Sequence, residues 1–189
     1  MIGERFDAIL AAAQRGSEAA FAELWHDGNP ALLRYLRVTA PEAAEDIAAE
    51  TWAQVVRGLA KFRGNEQNWR AWLFTTARRR AADQMRRTAR RPAVSLEALP
   101  DLAVAELPGL QGTDAATLAL ENLDTRAAIA LVATLPPLQA EVIMLRVVAG
   151  LDNETAARLL GRSPGAMRVA AHRGLRRLAA MLAEAGVTR

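Results

Sequence analysis

Residues Asn153–Leu178 read N-E-T-A-A-R-L-L-G-R-S-P-G-A-M-R-V-A-A-H-R-G-L-R-R-L. A short run, Asn153 to Leu160, meets Gly161-Arg162-Ser163, and a longer run follows from Pro164 to about Glu184. Ser163 offers a side-chain oxygen to the unpaired N–H groups of a new helix, and Pro164 suits a first helical position that needs no N–H. A short helix, a tight turn containing glycine and a longer basic helix make helix-turn-helix anatomy. Residues 153–181 carry a net charge of +5, which suits contact with a polyanion.

Upstream, Leu138 to Ala149 reads as a helix ended by Gly150. Another helix starts near Ala115 or Thr117 and runs to about Leu135, where Pro136-Pro137 stops it. Residues 117–189 are therefore expected to form a small C-terminal helical domain. The segment before it is of another kind: Pro92 to Thr125 has six acids and no base. Pro100, Pro108, Gly109 and Gly112 break it up, so residues 92–116 read as a flexible acidic linker. Leu96, Leu99, Leu102, Val104, Leu107 and Leu110 make it more apolar than an inert spacer.

The linker follows an opposite extreme. Ala77–Arg91 holds seven arginines and one aspartate. This block closes a helix expected from Trp69 to about Arg90, with Trp72, Leu73, Ala77, Ala81 and Met85 facing inward and Pro92 ending it. Lys61 to Asn68 reads as the loop before it. Nearer the N-terminus, Phe6–Ala13, Ser17–Trp25 and Pro30–Arg37 read as three short helices. Thr39-x-x-Glu42 has capping-box spacing. The helix it introduces, to about Leu59, sets Ala44, Ile47, Ala48, Trp52, Val55, Val56 and Leu59 on one face. Its other face presents Glu42, Asp46 and Glu50 at successive i,i+4 steps. Like charges so spaced oppose the helix by a few tenths of a kcal/mol per pair, roughly, which a basic partner would offset. The expected fold is all-α: a helical domain at 1–91, the acidic linker, and the helix-turn-helix domain.

Composition excludes other classes. Hydrophobic residues make up 51% of the 189, enough for packed cores. Much of that is alanine, which favours helix over sheet. With no cysteine there are no disulfides and no thiolate-bound zinc. Two histidines and no phosphate-binding glycine loop leave little for an enzyme. No membrane-length apolar run and no basic-then-apolar leader is present, so a cytoplasmic protein is expected.

Several runs, in order, resemble one family. Leu135-Pro136-Pro137-Leu138-Gln139 and Glu141–Arg146, then Gly150-Leu151, Glu154–Ala157, Leu160-Gly161 and Ser163–Arg168, are similar to the promoter-recognising C-terminal domain of bacterial sigma factors. Ala44–Trp52 resembles that family's polymerase-binding helix. Phe62-Arg63-Gly64, Arg70–Leu73, Ala77-Arg78 and Asp83–Arg87 resemble its promoter-melting helix. The chain is thereby identified as similar to the extracytoplasmic-function (ECF) subgroup of the sigma-70 family.

The resemblance implies a protein without catalytic centre or cofactor that directs core RNA polymerase to promoters, as a monomer within the holoenzyme. Its partners would be bacterial core polymerase and promoter DNA, with an anti-sigma factor as a candidate regulator. Core polymerase would meet Glu42, Asp46, Glu50 and Gln54. The −10 element and the melting bubble would meet Arg63, Asn65, Gln67, Asn68, Trp69, Arg78, Arg79, Arg80, Asp83, Arg86 and Arg87. Phosphate contacts by the arginines position the chain, whereas the loop Phe62–Asn68 would capture a flipped base. The −35 element would meet Arg168, Val169, His172, Arg173 and Arg176, with Arg168 suited to a guanine edge. Three positions depart from the family's habit: Arg79 replaces an asparagine, Val169 a serine and Ala170 an arginine. The rival reading is a polymerase-independent helix-turn-helix repressor or activator. It leaves the acidic helix and the first arginine helix without a task.

Overall fold

The computed structural model describes residues 1–90 and 125–184. Every regular element among them is helical. The N-terminal half contains α1 (Phe6–Gln14), α2 (Glu18–Thr39), α3 (Ala44–Leu59) and α4 (Glu66–Arg90). The C-terminal half contains α5 (125–133), α6 (Pro137–Ile143), α7 (Asn153–Leu160) and α8 (Pro164–Glu184). The expected linker lies outside the described residues, as do Arg91 and the start of the expected helix near Ala115.

Where three short helices were expected before residue 40, α2 is continuous through Gly28-Asn29-Pro30. Those residues look like a break, but packing uses each side of them. A Cβ on Gly28 would come within 3.1 Å of Leu73 and 3.2 Å of Trp52. The Asn29 amide oxygen accepts from the Trp52 indole N–H at 3.0 Å. Tertiary contact here overrides the local signal. Leu24, Leu32, Tyr35 and Leu36 from α2 then meet Val55 of α3 and Leu73 and Phe74 of α4 in a dry core.

Three further expectations are corrected. Thr39 does not open a capping box: its hydroxyl donates to the Tyr35 carbonyl at 3.0 Å, and a 3-10 turn, Pro41–Ala43, leads into α3. α4 starts at Glu66 rather than Trp69, because Asn65 and Asn68 cap each other reciprocally. The Asn68 N–H donates to Asn65 Oδ1 at 3.0 Å, and the Asn65 N–H to Asn68 Oδ1 at 3.1 Å. Val56 and Met85 follow the apolar periodicity but are 55% and 64% exposed, since no helix among the described residues covers them.

In the C-terminal half, α6 runs into a π turn, Met144–Val148, which buries Met144 and Leu145. α7 and α8 form the expected helix-turn-helix. Asp152 caps α7, accepting from the Thr155 N–H at 2.7 Å. Gly161 ends it in the left-handed region (φ 62°), where any side chain would strain the backbone. Ser163 caps α8, accepting from the Ala166 N–H at 3.2 Å. Gly174 lets α8 lie close on α6; a Cβ there would stand 2.8 Å from Ile143.

The two halves touch. Glu141 of α6 accepts from Arg78 Nε (2.8 Å) and from the Tyr35 hydroxyl (2.9 Å) through one oxygen. Arg70 donates to the Ala149 carbonyl at 3.2 Å, and Gln67 to the Gly150 carbonyl at 3.0 Å.

Candidate nucleic-acid interface

α8 separates its residues by face. Met167, Ala170 and Gly174 are buried, while Arg168, Val169, His172, Arg173 and Arg176 are exposed. Arg168, His172 and Arg176 are spaced i,i+4 and so form one row, with Val169 and Arg173 beside it. Among the described residues no carboxylate pairs with Arg168, Arg173, Arg176 or Arg177. The row is an exposed, uncompensated cationic ridge on the second helix of a helix-turn-helix. Ala170 is only 7% exposed and faces the core. Its lack of a polar group therefore removes nothing from the exposed row.

The α4 arginines are differently placed. Arg80 pairs with Glu50 at 3.3 Å and bonds Gln54 at 3.4 Å. Arg86 pairs with Asp83 one turn earlier. Arg78 is tied to Glu141, and Arg79 and Arg87 are exposed. Exposed pairs of this kind contribute little, about 0–1 kcal/mol, so a phosphate can replace the carboxylate.

The loop between α3 and α4 is held at both ends. Arg63 folds back, donating to the Ala60 and Phe62 carbonyls at 3.0 and 2.6 Å. Asn65 and Asn68 cap α4 yet remain exposed, and Gln67 reaches Gly150. Gly64 sits at φ 142°, where a Cβ would strike Asn68 at 2.7 Å. Trp69 is 1% exposed, packed against Phe6, Trp52, Phe62 and Trp72. Its ring is a core ring in this structure and offers no face to a base.

Asp46 and Glu50 of α3 are exposed beside half-buried Gln54, and Glu42 is exposed in the 3-10 turn just before the helix. The face is acidic but not bare, because Arg80 of α4 reaches its C-terminal part.

Two groups escape sequence reasoning. Arg70 is 5% exposed and pairs with Asp27 at 2.6 Å and Glu66 at 3.5 Å. The i,i+4 spacing of Glu66 and Arg70 is a local signal of one of those pairs. Glu141 joins α2, α4 and α6; its partners lie 106 and 63 residues away, so no local signal exists. Burial, and next the Glu141 carboxylate, push the Tyr35 hydroxyl well above its ordinary value. The Thr155 N–H, as the chief cause, holds Asp152 below the ordinary carboxylate range.

The family described as Sigma-70 region 2 matches residues 20–91, and Sigma-70, region 4 matches residues 125–178. SigD of Mycobacterium tuberculosis, an ECF RNA polymerase sigma factor, is 32% identical over 98% of this chain and 88% of its own. The chain belongs to the ECF RNA polymerase sigma factors. ShbA of Streptomyces griseus, another such factor, is 33% identical over 92% of this chain and 93% of its own. Among solved structures, the sigma factor RpoE in complex with the anti-sigma factor NepR from Bartonella quintana is similar. It is 25% identical over 86% of this chain and 96% of that one, with a TM-score of 0.60. CnrH in complex with the cytosolic domain of CnrY shares the fold, with a TM-score of 0.61, 22% identity and coverage of 96% and 99%. This ECF factor is therefore an alternative sigma factor for promoter-specific transcription, and the reading as a free-standing repressor or activator is not favoured. No helix among its described residues is long and apolar enough to cross a membrane.

Proposed function

We propose that this sigma factor divides its work between three surfaces. Glu42, in the 3-10 turn before α3, and Asp46, Glu50 and Gln54 of α3 bind a basic face of core RNA polymerase. Arg63, Asn65, Gln67 and Asn68 in and beside the α3–α4 loop read the −10 element. Arg78, Arg79, Arg80, Arg86 and Arg87, with Asp83 orienting Arg86, follow the phosphates at the melting bubble. Arg168, Val169, His172, Arg173 and Arg176 read the −35 element from the major groove. Residues 1–91 and 117–189 act as the two promoter-binding units, and residues 92–116 tether them. The chain lends recognition to the polymerase as a monomer within the cytoplasmic holoenzyme and carries out no bond chemistry itself. An anti-sigma factor is a fitting partner, since the similar RpoE and CnrH were each solved with another protein chain.

The observation that carries this reading is the α8 ridge: Arg168, Arg173 and Arg176, with no carboxylate paired to them among the described residues, on the side of the helix away from the buried Met167, Ala170 and Gly174. The test is run-off transcription with a bacterial core polymerase on a genomic promoter library. Adding the chain should produce starts that share −10 and −35 sequences. Starts no different from core enzyme alone would refute the proposal.

A further inference from the structure

We infer that Gln14 is a positioning residue for the loop that reads the −10 element, an inference that rests on the loop's proposed role. Gln14 ends α1, and α1 lies before the residues 20–91 that match Sigma-70 region 2. Its side-chain amide donates to two carbonyls at once: Leu59 at 3.0 Å and Phe62 at 2.8 Å. Leu59 is the last residue of α3, and Phe62 is where the loop begins. Carbonyls at a helix C-terminus lack intrahelical donors, so an outside donor fixes where the chain leaves the helix. The Leu59 carbonyl accepts from the Phe62 N–H at 3.0 Å, and Gln14 adds a donor from a different helix to this turn and to the Phe62 carbonyl that follows it.

The outgoing limb is held from the same segment. The backbone N–H groups of Ile2 and Gly3 donate to the Glu66 carboxylate at 2.9 and 3.0 Å, where α4 begins. The N-terminal segment thus grips the loop at both feet and leaves its crown free. A crown that captures a single base needs its feet fixed to within about 0.5 Å to discriminate between bases.

Arg63 makes the amide of Gln14 more important once DNA is present. In the free chain Arg63 also donates to the Phe62 carbonyl, at 2.6 Å. Arg63 is exposed, and a phosphate or base edge would draw it away from that carbonyl. Gln14 then becomes the remaining side-chain donor to Phe62. Losing Gln14 should loosen the loop in the promoter complex while leaving the free chain folded.

The test measures transcription initiation by the full chain with core polymerase on promoters that differ at single −10 or −35 positions. Gln14→Ala should lower the preference among −10 bases by about three- to tenfold, less than the full worth of two modest hydrogen bonds because the loop keeps its other ties. Gln14→Glu is nearly isosteric but sets an acceptor against two carbonyl oxygens, so its loss should be larger. Preference at −35 should remain that of the unmodified chain for both variants, and circular dichroism should show both folded. Unchanged −10 preference in both variants, or equal loss at −10 and −35, would overturn the inference. Asn65→Ala and Gln67→Ala in the same assay separate the two claims. If they abolish −10 preference while the Gln14 variants keep it, only the role of Gln14 is lost. If they too leave it intact, the loop does not read the base, and both claims fall.

Discussion

Replacing Glu141 by alanine should loosen the contact between the two halves and unmask the hydroxyl of Tyr35. Glu141 Oε1 takes hydrogen bonds from Tyr35 and Arg78, and Tyr35 is fully buried. Without the carboxylate the buried phenol loses the group it donates to, which costs about 1–3 kcal/mol. The Arg78 side chain is 43% exposed, so solvent screens its ion pair and its loss adds only about 0–1 kcal/mol. The combined cost of about 1–4 kcal/mol lowers a urea midpoint by about 0.5–2 M for a slope near 2 kcal/mol per M. Glu141→Gln retains an acceptor for the phenol and gives up the charge alone, so its cost stays under about 1 kcal/mol.

Tyr35 supplies an internal reporter, being the only tyrosine in the chain. Its folded value is raised, so the folded state holds the phenolic proton after the unfolded state has lost it. The contribution of Tyr35 is intact below about pH 10, the ordinary tyrosine value, and is lost as the pH rises beyond it. Tyrosinate absorbance of the unmodified chain should therefore not rise near pH 10 while the fold persists. In Glu141→Ala it should rise closer to pH 10, because the halves part and both burial and the carboxylate are removed. Small-angle scattering should show the accompanying expansion. If Glu141→Ala matches Glu141→Gln in urea midpoint and in phenol titration, Glu141 does not hold the halves together.

Asp152→Ala removes the cap of α7 and should destabilise the chain by about 0.5–2 kcal/mol in urea unfolding. Because Asp152 is held below its ordinary value when folded, its contribution is present above about pH 4 and fades as the pH falls through the folded value. Acid unfolding of Asp152→Ala should accordingly be flatter over that range. Gly161→Ala forces a side chain into the left-handed turn of the helix-turn-helix, at a cost of about 1–2 kcal/mol measured the same way. Arg168→Ala should reduce discrimination at one −35 position by about 1–3 kcal/mol in competition binding of the holoenzyme. Arg86→Ala/Arg87→Ala should weaken binding to all sequences alike and lower the salt slope by about 0.9 for each phosphate no longer neutralised.

What can be read from sequence is whatever is decided within a few residues. Gly161, Ser163 and Pro164 act on their own helix ends, so the helix-turn-helix is legible with its boundaries. The acidic α3 face and the cationic rows follow from spacing alone. Gly28-Asn29-Pro30 misleads because its compensations, Trp52 and Leu73, come from other helices. Val56 and Met85 mislead in the opposite way: periodicity tells which face a residue shares, not whether another element extends far enough to cover it. Family likeness assigns Trp69 to DNA, and only the aromatic cluster around it reveals a core residue. Gln14 and Glu141 are illegible, and Arg70 is legible only in its i,i+4 pair with Glu66, since their other partners are brought close by tertiary folding.

The two basic helices, proposed above to meet DNA, look equivalent in charge and differ in what they would surrender to it. The α8 arginines have no carboxylate partner among the described residues, so a phosphate meets them without displacing anything but solvent and counterions. On α4, a phosphate must displace Glu50 from Arg80, Asp83 from Arg86 and Glu141 from Arg78. The first two are exposed pairs worth about 0–1 kcal/mol, and the exchange is nearly neutral. The third differs, because Glu141 also satisfies the buried Tyr35, so freeing Arg78 while the halves stay docked leaves a carboxylate near a phosphate. Like charges at that range repel. On the proposed role of Arg78, its engagement by DNA would therefore be coupled to separation of the two halves, and the same separation would release Gln67 from the Gly150 carbonyl beside the loop. Among the described residues, then, the α8 arginines stand free of carboxylates, whereas Arg78, Arg80 and Arg86 of α4 each hold one, and of these the Arg78–Glu141 pair would be the last to yield.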